Sequence, residues 1–452
     1  MPIASHYRFR KAYHFTSIEN LRSIIDHGIY STNQKAALRI EHSNVAEPGI
    51  QERRARMEVP ETGGRVVHDY VPFYFAKKTP MQLSVIHKKN VDQQFIIYFS
   101  VSLSLLESLL GACFTNASAN TDEPPTFFFG DECEKLDQLD WQTIDSTSWI
   151  YHDDDTKHRK MAELLIPNCL PLEDVSEIIV WNSWIRGEVL HIFKECGVTP
   201  PPVRVDSFNH YYGKPSRWNE SLITGPYFLK QGFEEVVDEI LSFNRVVPPK
   251  FESLNEGLIA VRESLSAIQE LGDVDGLRAN YGPHFDDVGT HSRRVAESVV
   301  GSPEYALLDQ VNRDILELSA YLHDIGKGPK NRWPKDICGN YHMNRPDSDH
   351  AAESLPMLKA ILTEDFPFLP RDTVRKIVML VTYDDLLGDI AANGRDKSQL
   401  FEVVTCAEDI HMLVAISKAD IGSLDNHWLA NVSPDIDLIR DEVLRSLEVE
   451  MP

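Results

Sequence analysis

Long apolar runs are missing from this chain of 452 residues. No stretch of about 18 consecutive apolar residues occurs, so no transmembrane helix is expected. Met1 to Lys11 has no apolar h-region, so no secretory signal is expected either. The six cysteines, at positions 113, 133, 169, 196, 338 and 406, never form a C-x-x-C pair. Their scatter argues against a zinc knuckle or a disulfide framework and fits a reducing cytoplasm. Internal repeats and low-complexity tracts are absent. Positive charge is scarce, and a net charge of −24 argues against a protein that coats nucleic acid.

What is present is a globular composition, 42% hydrophobic and 25% charged, able to bury a sizeable core in two or three domains. The charge is uneven. Residues 1–215 hold 22 Lys+Arg against 28 Asp+Glu, and the remainder 23 against 41. Residues 1–89 alone hold 14 basic and 8 acidic side chains, a local +6. A pyrophosphate or a short nucleic-acid strand suits that segment, whereas long duplex does not.

Pattern divides the chain into a mixed α+β part and an all-helical part. Residues 12–16, 71–76, 94–102 and 178–181 read as strands by aromatic and β-branched content. Residues 17–28 read as a helix, with Ser17 as N-cap and Gly28 as its stop. Residues 30–66, rich in Pro and Gly with little periodicity, read as a long loop or lid. Helical spacing takes over from about 229, and beyond 280 every apolar run reads as helix. The expected division is 1–215, a helical linker over 216–279, and 280–452.

The densest chemistry lies between Tyr13 and Thr79: Tyr13-His14-Phe15-Thr16, then Gln51-Glu52-Arg53-Arg54-Ala55-Arg56, then His68-Asp69-Tyr70-Val71-Pro72-Phe73-Tyr74-Phe75. Such a succession exceeds what a core needs and reads as half of an anion-binding site. The other half is sought at Glu163, between the basic run Lys157-His158-Arg159-Lys160 and the apolar Leu164-Leu165-Ile166. On its own segment Glu163 reads either as a surface carboxylate at a strand start or as a catalytic one at the mouth of a cleft. Arg54 reads either as part of a solvated charge run or as a bidentate anion ligand.

These motifs, with His42-Ser43-Asn44, Gly63-Gly64, Thr79-Pro80-Met81, Phe114-Thr115-Asn116, Leu139-Asp140-Trp141 and Tyr211-Tyr212 in the same order, make residues 1 to about 215 resemble the DarT family of NAD-dependent DNA ADP-ribosyltransferase toxins. The resemblance implies an ADP-ribosyltransferase fold with NAD in a cleft. It implies that His14, Phe15 and Thr16 grip the dinucleotide, that Ser23 and Ser31 touch it, that Arg54 is the catalytic arginine and also contacts NAD, and that Glu163 is the catalytic glutamate. Residues ~36–56 correspond to the NAD-binding element and ~119–163 to the substrate-recognising loop. That loop departs from the commoner pattern in Asn116, Asn120 and Pro124-Pro125, which leaves the target base open.

The helical half carries His291, then His323-Asp324-Ile325-Gly326-Lys327, then Asp420. This ordered set resembles the HD superfamily of metal-dependent phosphohydrolases over roughly 280–430. The resemblance implies a divalent metal held by His291, His323, Asp324 and Asp420, with His350 as a further ligand for a second metal and Asp384 or Asp385 as its substitute partner or a structural carboxylate. Where many members carry a paired histidine, this chain has Tyr383-Asp384-Asp385.

The expected activity is transfer of ADP-ribose from NAD to a base in single-stranded DNA or another unstacked nucleic acid, releasing nicotinamide. The HD domain would hydrolyse a phosphoester or regulate that activity. The alternative is an HD-type nucleotide phosphohydrolase whose N-terminal domain serves as a NAD-derived sensor. Neither a membrane partner nor a particular antitoxin is specified by the sequence.

Overall fold

A computed structural model describes residues 3–43, 48–121, 123–148, 151, 153–215, 217–279 and 286–450. Asn44, Trp149, Ile150 and the expected start of the second domain at 280–285 lie outside the described residues. The chain divides into two compact units, Met1–Gly225 and Pro226–Pro452.

Among its described residues the first unit holds twelve strands: β1 Lys11–Ser17, β2 Ile29–Tyr30, β3 Tyr70–Tyr74, β4 Ile96–Ser102, β5 Cys113–Thr115, β6 Phe127–Phe129, β7 Glu163–Pro167, β8 Cys169–Leu170, β9 Glu177–Val180, β10 Val203–Val205, β11 Gly213–Lys214 and β12 Arg217–Ser221. Eight of them form one sheet in the order β10-β9-β4-β1-β3-β7-β5-β6. Register follows side-chain alternation. Val71, Phe73, Ile97, Phe99, Val101, Leu164 and Ile166 point into one core with Leu21 and Ile178. The alternate residues of the same strands, Tyr13, Tyr74, Tyr98 and Leu165, pack into three smaller clusters on the other face. Pairing sets Tyr13 opposite Tyr74 and Tyr74 opposite Glu163. Glu163 therefore projects from the face that lacks the large core.

The span 30–66 is not the loop expected from its composition. It contains helices Thr32–Leu38 and Pro48–Arg56. Ser31 caps the first by accepting from the Gln34 amide, and that helix buries none of its residues, so no apolar stripe announces it. In the second, Arg53, Arg54 and Arg56 occupy the last turn, where positive charge complements the helix dipole. The segment 157–166 splits into helix Asp154–Lys160 and strand β7.

The second unit is helical around one large core, with a smaller cluster of Val274, Leu277, Val288, Trp333 and Met343 beside it. Helix Val288–Val300 packs against Gln310–Leu322 and Ala407–Leu424. Arg371–Thr382 is one helix, whereas residues 398–424 hold two, Ser398–Val403 and Ala407–Leu424. The expected linker is corrected from Pro226 onward. Helices Pro226–Ser242 and Leu254–Glu263 place Leu229, Phe233, Val237, Leu258 and Val261 in that same core, because their apolar stripes need a partner surface. Among the described residues, no helix is long and apolar enough to cross a membrane.

Candidate functional site

In the first unit, Arg54 and Glu163 meet across 109 positions of sequence. The contact is two-pronged: Arg54 Nη1 donates to Glu163 Oε1 at 2.9 Å and Nη2 to Oε2 at 3.0 Å. The Ala119 amide donates to Oε1 at 3.0 Å, and the Glu163 amide donates to Thr115 Oγ1 at 3.1 Å. Glu163 is fully buried and Arg54 is 5% exposed. Burial opposes the Arg54 charge, yet the Glu163 carboxylate outweighs it and leaves the guanidinium pKa raised. Burial, helped by the Glu163 charge, pushes the Tyr74 phenol well up, so Tyr74 presents a neutral hydroxyl.

Arg54 forms part of the wall of a cavity of about 310 Å³. His14, Phe15, Thr16 and Ser31 line it, as do Tyr30, Lys35, His42, His68 and Tyr74. Phe15 lies nearly parallel to Tyr74, centroids 6.1 Å apart. Asn20 donates to Thr16 Oγ1 and to the Ser43 carbonyl, both at 2.8 Å, which ties the 43 segment to the strand edge. Ser23, on helix Leu21–His27, does not line the cavity. Burial takes His14 to about 4, with Lys35 and Arg54 acting in the same direction. Burial and then Arg54 take His68 to about 4, so both imidazoles are neutral at pH 7. Burial alone brings Lys35 down to about 8.

A second cavity, of about 350 Å³, shares Ile50 and Met81 with the first and is completed by Arg53, Asn120, His158 and Met161 among others. Arg53 Nε donates to the Asn120 carbonyl at 2.8 Å, holding the stretch whose Ala119 amide reaches Glu163. Lys35 was not among the expected site residues, and His68 and the Thr115–Ala119 support of Glu163, though within the segments singled out, had been given no individual role. His68 alone had a signal, as a polar residue inside an apolar strand approach. Lys35 had none, since it sits on a helix that sequence pattern does not reveal.

In the second unit, all four expected ligands converge. His291 Nε2 lies 2.9 Å from Asp420 Oδ1 and 3.6 Å from Asp324 Oδ2. His323 Nε2 lies 3.6 Å from Asp324 Oδ2 and 3.7 Å from Asp420 Oδ1. The opposite ring nitrogens are engaged elsewhere: His323 Nδ1 with the Ala320 carbonyl at 2.8 Å and His291 Nδ1 with Ser423 Oγ at 2.9 Å. Both rings thus offer Nε2 to one point, the arrangement that outer contacts impose on metal-binding imidazoles. A hard or borderline divalent ion suits this N2O2 set. Burial works against the Asp324 carboxylate, but Lys327, His323 and His291 hold its pKa well below the usual range. Gly326 lets the turn behind Asp324 approach helix His350–Ala360: a Cβ there would stand 1.9 Å from the His350 carbonyl oxygen.

A family profile described as "ssDNA thymidine ADP-ribosyltransferase, DarT" matches residues 13–213, and an HD domain profile matches 288–410. A DNA ADP-ribosyl transferase of Thermus sp. (strain 2.9) is 33% identical over 186 residues, 40% of this chain and 87% of that protein. One from Thermus aquaticus is 32% identical over 209 residues, 45% of this chain and 89% of that protein. The solved structure of Thermus sp. 2.9 DarT with ADP-ribosylated ssDNA shares 28% identity, covers 47% of this chain and 99% of that one, and gives a TM-score of 0.41. The chain belongs to the DarT family, with an HD domain after the DarT region.

Proposed function

We propose that the first unit transfers ADP-ribose from NAD to a base of single-stranded DNA and releases nicotinamide. The observation that carries this reading is the buried Arg54–Glu163 pair, whose arginine lines the 310 Å³ cavity and covers the carboxylate. Breaking the bond between nicotinamide and the ribose C1 sends the electron pair to nicotinamide and leaves an oxocarbenium-like centre. Glu163 takes the proton of the acceptor nitrogen, which then bonds to C1. A ring N–H is a poor nucleophile until that proton leaves, so a carboxylate within reach is required. The family description names thymidine, whose imide N–H fits this scheme.

Phe15, Thr16, His14 and Ser31 line the dinucleotide's cavity, and Arg54 and Lys35 face its phosphates. The adjoining cavity at Asn120 and His158 receives the base. Arg54 covers Glu163, so its guanidinium shifts toward bound anion before the carboxylate meets the acceptor. A NAD-derived sensor has no use for a carboxylate held this way, which favours transfer over the alternative reading. In the second unit, His291, His323, Asp324 and Asp420 hold a divalent ion, which when bound supplies Lewis acidity toward a phosphoryl oxygen. Six cysteines without disulfide partners suit a reducing cytoplasm.

The test is incubation with NAD and a panel of oligonucleotides, followed by mass spectrometry of the released nucleosides. A gain of one ADP-ribose on a single base type is expected with the native chain, and none with Glu163→Ala. Unmodified oligonucleotides across the whole panel would reject the assignment.

A further inference from the structure

Beside the dinucleotide and acceptor cavities, the first unit has a further hollow of about 570 Å³. Arg10, Lys11, Lys77, Lys78 and Lys160 line it against one carboxylate, Asp145. In a chain with 69 acidic and 45 basic side chains, five cations around one hollow run against the composition.

Two of the five are already neutralised. Arg10 pairs with Asp145 at 2.8 Å and Lys11 with Glu177 at 3.0 Å. Among the described residues, none of the other three pairs with a carboxylate. Lys160 is 2% exposed and donates to the Ile144 and Ser146 carbonyls at 2.7 and 2.6 Å. An ammonium has three protons to donate, so one is left for the hollow. Lys78 lies 5.8 Å from the ring centroid of Phe208 and 5.6 Å from that of Tyr212. Burial lowers the Lys78 pKa and takes Lys160 to about 8, as it does where no anion compensates the lost water. Lys77 is exposed.

What this set lacks is an anion, and the rings at its rim say of which kind. Phe9 is 90% exposed and Phe208 63%, and both line the hollow. Exposed Trp218 meets Phe208 edge-on at 6.1 Å. Aromatic faces left in water beside ammonium groups let bases stack while phosphates are neutralised. Phe9, Arg10 and Lys11 precede the matched DarT region and Trp218 follows it, so this surface is built partly by residues beyond that region.

Position selects the occupant. Met81 and His158 line the acceptor cavity, and Lys78 and Lys160 line the hollow. Three residues of extended chain reach at most about 11 Å, so Lys78 and Met81 are no farther apart than that. We propose that the hollow binds the same single strand a few nucleotides from the acceptor base, with Lys77, Lys78 and Lys160 at its phosphates and Phe9 and Phe208 against its bases. This rests on the transfer reading for the identity of the acceptor cavity. Contacts to backbone and base faces add affinity and reach without reading sequence.

The test is fluorescence anisotropy of the full chain with labelled oligothymidylates of three and of twelve nucleotides across a range of salt, beside transfer assays on the same strands. The native chain should bind the longer strand at least tenfold more tightly. Lys77→Ala combined with Lys78→Ala should erase most of that advantage and reduce the salt slope by about 1.4, at roughly 0.7 for each phosphate of a single strand. Phe9→Ala combined with Phe208→Ala should weaken the longer strand about tenfold and leave the slope alone. Both variants should bind the short strand, and keep KM for NAD, as the native chain does. Equal affinity for the two lengths, as a hollow for a free nucleotide would give, overturns the proposal. So does an undiminished advantage in the lysine variant. A length advantage that both variants lose, without transfer to any strand, supports the hollow and removes the transferase reading alone.

Discussion

At the scale of single residues, the sealed carboxylate sets the terms. Glu163→Ala is expected to lose at least about 10²–10⁴ in transfer rate. It also strands a buried guanidinium, which costs up to about 3 kcal/mol because Arg54 can turn toward the cavity. Arg54→Lys retains charge but loses the fork, so its kcat/KM should fall although it still folds. Nucleoside mass spectrometry and urea melts separate the two effects. Lys35 supplies the pH dependence. Burial sets it near 8, so it is charged below that value and neutral above. KM for NAD should therefore rise as pH passes upward through 8, and Lys35→Arg should flatten the rise. A native KM that is level from pH 7 to 9 excludes Lys35 as a phosphate contact. Arg54 and Glu163 were legible only by resemblance. Their own segments look like a charge run and a strand start, and no local pattern announces a contact over 109 positions.

At the scale of elements, β1, β3, β4 and β9 were legible from their aromatic and β-branched content, whereas β5 and β6 were not read as strands. The register that places Tyr74 opposite Glu163 follows from the large core claiming Phe73 and Leu164. The helices over 32–38 and 48–56 were not legible, since the first buries nothing fully and the second turns an arginine rather than an apolar residue inward. Ser23, which the resemblance sets against NAD, sits on helix Leu21–His27, none of whose residues is among those lining the cavity. Gly326 tests an element directly. Gly326→Ala places a methyl against backbone at 1.9 Å and must push helix His350–Ala360 aside, at a cost of at least about 2 kcal/mol. The second unit should melt about 4–8 °C lower and bind less Mn²⁺. An unchanged melting temperature with full metal content would show that the helix position is not fixed by this contact.

At the scale of the whole chain, the two units each have their own core, and calorimetry should show two transitions. EDTA should lower only the one assigned to residues 226–452, because an ion bound to the folded state alone stabilises it by mass action. A shift of both transitions, or of neither, contradicts the assignment. The boundary at 225/226 was misplaced in the sequence reading, because amphipathic helices read alike whether they bridge domains or complete one. The strand order has one further consequence, for synthesis. Arg54 leaves the ribosome long before Glu163, and β7 is an interior strand between β3 and β5. A nascent chain shorter than that strand exposes a guanidinium with no carboxylate to answer it. A chain ended upstream of β7 therefore lacks both the carboxylate and the strand that sets it opposite Tyr74.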